Sequence, residues 1–97
     1  MALSAKQRKH LKALAHHRKP VVQVGNAGVT TAVVREITQA LDAHELIKIR
    51  LPGVARDARQ TQLGEICKAT AAEAVQEIGR MAVIYRRAKK PRLTFPE

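Results

Sequence analysis

The 97-residue sequence predicts an α/β domain of element order α-β-α-β-α-β-β, a mixed four-stranded sheet packed with helices. Three observations predict it. Segments of helical periodicity alternate with short apolar runs, and such alternation gives a partly parallel sheet covered by helices. A Gly-x-x-Gly stretch, Gly25 to Gly28, joins the first apolar run to a helical pattern. Two further apolar runs flank Gly79-Arg80, which reads as a hairpin and adds an antiparallel pair. The length suits one domain with one modest core. Nearly half the residues are hydrophobic, yet Tyr85 and Phe95 are the only aromatics of the Phe, Trp and Tyr set, so the core must be aliphatic.

The first helix is expected from Ser4 to about His17. Ser4 is a good N-cap, and Gln7 completes a capping-box pattern. Leu11, Leu14 and Ala15 share one face; Lys9, Lys12 and His16 lie opposite, as a solvated basic face or a phosphate-contacting one. Pro20 stops the helix. Strand one spans Val21 to Val24. After the glycine loop, Thr30 is the expected N-cap of helix two, with Val29 and Val34 in hydrophobic-staple positions. Val33, Ile37, Ala40, Leu41 and His44 then share a face.

Strand two runs from Leu46 to Leu51. Ile47, Ile49 and Leu51 alternate with Lys48 and Arg50, which puts a buried face against a basic one. Pro52-Gly53 breaks it. Helix three is expected after Asp57 as N-cap, with Leu63, Ile66, Cys67 and Thr70 as its apolar stripe. Gly64 weakens it by about 1 kcal/mol relative to alanine. Strands follow at Ala74 to Ile78 and Ala82 to Arg87. Residues 1–87 thus form the domain. Residues 88–97 form a basic tail with Pro91 and Pro96, lacking periodicity and expected to be mobile without a partner.

The formal charge is +10. Residues 21–85 hold seven basic and seven acidic side chains, so the excess comes from two stretches without an acid, residues 1–20 and 86–92. One carries Lys6, Arg8, Lys9, Lys12, Arg18 and Lys19; the other carries Arg86, Arg87, Lys89, Lys90 and Arg92. Concentrated basic charge suggests a polyanionic partner, nucleic acid or an acidic membrane surface. Cys67 alone makes no intramolecular disulfide and fits a reducing compartment. No apolar run approaches the ~18 residues of a membrane span.

Catalytic sets are not evident. His16 and His17 are adjacent and point different ways on a helix, a poor metal pair, and there is neither a His-x-x-x-His nor a Cys-x-x-Cys spacing. His44 reads as a capping or packing residue rather than a base. No Ser-His-acid or Cys-His set is suggested, and the Lys-Ser/Thr of a nucleotide P-loop is missing after the glycines. The expectation is a binding protein that is not an enzyme and uses no metal or cofactor. Scarce aromatics disfavour base stacking on a sheet surface. A backbone clamp remains. Gly-x-x-Gly also occurs in plain turns, but here two glycines allow φ > 0 and close approach beside a helix N-terminus, where amides favour an anion.

The ordered pieces resemble one family. Val21 to Thr30 (VVQVGNAGVT), Ala40 to Arg50 (ALDAHELIKIR), Val75 to Arg80 (VQEIGR) and Val83 to Arg86 (VIYR) are similar to the CRM, or CRS1–YhbY, domain, especially its stand-alone bacterial YhbY-type members. Gln7 to Leu11 and Ala15-His16 before Pro20 add to the likeness, which covers about residues 3–87. The resemblance makes the first helix part of the domain rather than a transit peptide. It implies a fold akin to the C-terminal domain of translation initiation factor three. It implies RNA binding through the Gly25–Gly28 loop and, for bacterial members, association with precursors of the large ribosomal subunit in the cytoplasm; plant relatives act in organelle intron splicing. Two departures stand out: Asn26 and Ala27 are neutral where many members carry a basic loop residue, and Ala71-Ala72 replace a glycine that usually ends helix three.

The expected RNA contacts are therefore Gly25, Asn26, Ala27 and Gly28 on phosphate, with Thr30 and Thr31 capping helix two and fixing the loop. Lys9, Lys12, His16, Arg18, Lys19, Lys48 and Arg50 extend the basic surface, and Arg86 and Arg87 add a less specific electrostatic contribution. The expected partner is large-subunit ribosomal RNA or its precursor, bound by a monomer, with no membrane involved.

Overall fold

A computed structural model describes residues 3–91 together with Leu93 and Phe95. The element order is α1 (Ala5–Ala15), β1 (Val22–Gln23), α2 (Thr31–His44), β2 (Leu46–Arg50), α3 (Arg56–Thr70), β3 (Glu73–Ile78) and β4 (Met81–Tyr85). The four strands form one mixed sheet in the order β1-β2-β4-β3. β1 runs parallel to β2, and β4 is antiparallel to both β2 and β3. The predicted α/β architecture is the observed one.

Alternation along the strands divides the core into two. Ile47, Ile49 and Leu51 of the β2 segment join Val22, Val24, Ala82 and Ile84 on one face. Ile37 and Leu41 of α2 and Leu63 and Ile66 of α3 close over them. On the other face Leu46, Val75, Val83 and Tyr85 meet Leu3, Leu11 and Ala15. The apolar stripe of α1 is narrow, so this helix covers only part of its face. Arg8 anchors it: its guanidinium donates to the Ala74 carbonyl and lies 3.4 Å from Glu73 Oε2.

The caps explain most boundaries. Ser4 Oγ accepts the Gln7 amide at 3.1 Å and Gln7 Oε1 accepts the Ser4 amide at 3.0 Å, the reciprocal capping box. Thr30 Oγ1 accepts the Val33 amide at 3.1 Å. Helix three differs from expectation. It starts at Arg56, Ala55 occupies the cap without a side-chain bond, and Asp57 lies inside the first turn, with Oδ1 accepting the Ala58 amide. A carboxylate is welcome there because it faces the positive end of the macrodipole. That helix ends on Ala71 at φ 57°, ψ 30°, with the Ala72 amide donating to the Cys67 carbonyl at 3.0 Å. Alanine thus occupies a left-handed position that glycine usually fills.

Strand one is shorter than predicted, although the Val21 and Val24 amides still donate to the Lys48 and Arg50 carbonyls. The last two strands start one residue early, and β4 stops at Tyr85 instead of Arg87. The tail departs further from expectation. Leu93 and Phe95 pack on the α1-side core, and the Phe95 ring meets Tyr85 and His10, each at 5.8 Å between centroids. The polar anchor is Glu45, fully buried at the end of α2. Its carboxylate accepts the Ala88 and Leu93 amides, each at 3.2 Å, and its carbonyl accepts the Arg86 amide. Arg92 and Pro96, also assigned to the tail, lie outside the described residues.

Candidate nucleic-acid interface

Parallel pairing of β1 with β2 fixes where the loop sits. Both strands end at the same edge of the molecule, and the connections that leave them, 24–30 and 51–55, emerge side by side. The β3–β4 turn reaches that end too, because Arg50 pairs with Met81. Ligands of open α/β sheets commonly bind outside the carboxyl ends of such strands.

The loop is a tight turn. The Gly28 amide donates to the Gly25 carbonyl at 3.0 Å, with Asn26 and Ala27 at its tip, and the Thr30 amide donates to the Gly28 carbonyl at 3.0 Å. The two glycines are not equivalent, contrary to expectation. Gly28 has φ +77°, whereas Gly25 does not have a positive φ, and a Cβ on Gly25 would meet nothing within 4 Å. The backbone therefore favours glycine at 28 and not at 25. The Gly28 amide is engaged inside the turn. The Asn26 and Ala27 amides make no hydrogen bond among the described residues, and Thr31 and Ala32 open α2, where the Thr30 cap takes up the Val33 amide and not theirs. These are the groups left to meet an anion.

Lys48 and Arg50 lie two apart on β2 and share the α1 face of the sheet; Arg50 is exposed and its carbonyl holds the Val24 amide just before the loop. Lys48 borders a shallow depression with Arg18, Lys19 and His44, and a second with His16. The structure thus gathers His16, Arg18, Lys19, Lys48 and Arg50 along one side. Arg18 is partly engaged, since its Nη1 donates to the Leu46 carbonyl at 2.6 Å. His44 is exposed rather than packed. The His16 and His17 rings, expected to diverge, meet edge to face at 5.0 Å. Lys9 and Lys12 are exposed further along α1.

Arg86 and Arg87 are not part of this cluster. They follow β4 at the Tyr85–Leu46 end, four strand residues, or about 13 Å, from Arg50. Arg86 is a structural clip: its guanidinium reaches the Thr70 carbonyl at 3.0 Å, the Thr38 carbonyl at 3.4 Å and the Asp42 carboxylate. Arg87 is exposed beside Glu73.

Four residues at the loop end were missed in the sequence. Arg56 opens α3, Arg59 follows at the next turn with Nη1 on the Val54 carbonyl, and Gln62 abuts Gly28, its Nε2 lying 3.7 Å from where a Cβ would stand. Arg59 Nε and Gln62 Oε1 are buried without a partner among the described residues. Arg80, at the hairpin turn, donates to the Leu51 carbonyl at 3.1 Å and crosses Gly53. The i, i+3 spacing of Arg56, Arg59 and Gln62 was the available signal, but only the parallel pairing tells that it faces the loop.

Cys67 is half-buried, and burial, reinforced by the Glu73 carboxylate, pushes its thiol pKa up, away from the thiolate a nucleophile needs. Among the described residues no three His, Cys, Asp or Glu side chains gather as a metal site, and no helix is long and apolar enough to cross a membrane.

The family model for the CRS1 / YhbY (CRM) domain matches residues 3–86. The chain belongs to the CRM domain family. This CRM domain is 44% identical over 91 residues to a Pseudomonas aeruginosa protein named a probable RNA-binding protein, covering 94% of the chain and 88% of that relative. It is 43% identical over 94 residues to a Haemophilus influenzae protein named an RNA-binding protein, covering 97% and 95% of the two chains. Its fold matches the solution structure of a Staphylococcus aureus protein with a TM-score of 0.85 at 33% identity, over 98% of this chain and all of that one.

Proposed function

We propose that this CRM domain is an RNA-binding protein that holds large-subunit ribosomal RNA precursors during ribosome assembly and binds rather than cleaves them. The observation that carries the binding is the loop end of the sheet. The Asn26 and Ala27 amides, without a partner among the described residues, the start of α2, and Arg50, Arg56 and Arg80 lie at one edge around a turn with no side chain at Gly25. Backbone amides hold phosphate oxygens and the arginines supply the salt-dependent attraction. Family membership and the relatives named for RNA binding support the choice of RNA over other polyanions. Assembly is the role that the likeness to stand-alone bacterial members suggests.

The test is sucrose-gradient fractionation of a native lysate that contains either the natural protein or the Asn26→Asp, Ala27→Asp variant. Both glycines stay, and two negative charges enter where phosphate should sit. The natural protein is expected with immature large subunits and the folded variant at the top. Equal co-sedimentation removes the loop from the mechanism. Two free proteins remove ribosome assembly, and stoichiometric retention on mature subunits makes the protein a component instead of an assembly factor.

A further inference from the structure

The α1 face of the sheet is left uncovered beyond Ala15, and two cross-strand rows fill the gap. Lys48, Val83 and Gln76 make one row, and Arg50, Met81 and Ile78 make the next, about 6.8 Å along the strands. Lys48, Gln76, Val83, Met81 and Ile78, with Ala15 and His16 at the rim, line an open groove of about 260 Å³, and Arg50 stands in the second row just outside it. Ile78 is 64% exposed, which is unusual for a large aliphatic side chain on a strand.

The chemistry of the rows is ordered across the sheet. The cations stand on β2, the apolar Val83 and Met81 on the central β4, and the Gln76 amide with Ile78 on β3. Neither row contains an acid. Glu77 pairs with Ala82, whose side chain belongs to the opposite core, and Glu73 is held under α1 by Arg8. The β2 end of this face is continuous with the loop, because the Arg50 carbonyl bonds the Val24 amide.

We infer that this groove holds an unpaired nucleobase of the same RNA strand whose phosphate meets the Gly25–Gly28 loop; the inference rests on the RNA-binding reading above. The strand's phosphates follow Arg50 and Lys48. The base lies on the Met81 thioether and Val83, flanked by Ile78, and the Gln76 amide, both donor and acceptor, meets its edge. A polarizable thioether here does the work that aromatic rings do in sheet-surface RNA binders. An apolar protein segment suits this groove less well, since its rim is positive and acid-free.

The test uses the full chain with labelled methionine and isoleucine methyls. The probes are a single-stranded RNA of about ten nucleotides and the same strand without bases. Base-bearing RNA is expected to bind roughly tenfold more tightly than the abasic strand and to shift the Met81 and Ile78 methyl signals. The Gln76→Ala, Ile78→Ser variant is expected to lose that tenfold and keep its affinity for the abasic strand. Equal affinity for both strands, with the methyls unmoved at saturation, overturns the groove and leaves RNA binding intact. Binding of neither strand overturns the RNA reading itself and the groove with it.

Discussion

The Leu93 amide donates to Glu45 Oε1 at 3.2 Å across 48 residues of sequence. Because Glu45 is fully buried, the bond ties the chain's last segment to the turn between α2 and β2. Glu45→Gln removes the charge and weakens two charge-assisted bonds. A loss of about 1–2 kcal/mol in chemical denaturation is expected. Faster hydrogen exchange at the Ala88 and Leu93 amides, with the α2 and α3 amides little changed, is the accompanying signature.

Two arginines from the same charge excess should behave in opposite ways. Arg86 bonds the Thr70 and Thr38 carbonyls and Asp42, so Arg86→Ala should cost about 2 kcal/mol of stability. Arg50 is exposed at the loop end, so Arg50→Ala should leave the melting temperature within a degree or two and weaken RNA binding. Paired thermal melts and filter-binding titrations check both; a stable Arg86 variant defective in RNA binding would reverse the assignment.

Gly25 and Gly28 also separate. Gly25→Ala meets no steric or backbone obstacle and is expected to melt like the natural protein while binding RNA less well. Gly28→Ala must place a Cβ at φ +77° and should cost about 1 kcal/mol. Unchanged RNA affinity in the Gly25 variant would show that bare backbone is not what the ligand approaches.

Helix three ends on an alanine at φ 57°, and Ala71→Gly should stabilise the protein by about 1 kcal/mol. The gain is less than the strain relieved, because glycine also loosens the unfolded chain. A denaturant midpoint that falls instead of rising would mean that Ala71 contributes packing on top of its backbone geometry.

Tyr85 is buried beneath the tail, and burial, followed by the Glu45 carboxylate, raises its pKa above 10.0, with Arg87 opposing. The folded state therefore keeps its proton where the unfolded chain has lost it. This contribution to stability is complete below about pH 10 and declines as pH rises through the raised value. Tyr85→Phe should flatten that alkaline decline, read from melts between pH 9 and 11.

The sequence carried the element order because each signal was local. Ser4 and Thr30 capped the helices expected of them, and Ile47, Ile49 and Leu51 alternated as a half-buried strand must. What escaped was non-local. Asp57 looked like a cap because side-chain chemistry alone cannot tell the cap from the first turn. The tail looked mobile because its tether is a single glutamate 43 residues away from Ala88. Arg86 looked like surface charge because its three partners come from α2 and the end of α3. In the site the loop and α2 cap were legible, whereas Arg56, Gln62 and Arg80 required the parallel pairing of β1 with β2 to bring them to the loop.

The sheet's two borders also govern how copies of the protein meet. β1 offers only two residues of ladder on its outer side, and β3 is broken by a bulge between Ala74 and Gln76. Neither presents the long flat rim of unpaired amides that templates strand addition. Neighbouring molecules therefore have little means of knitting edge to edge into a continuous sheet, even with Ile78 exposed on β3.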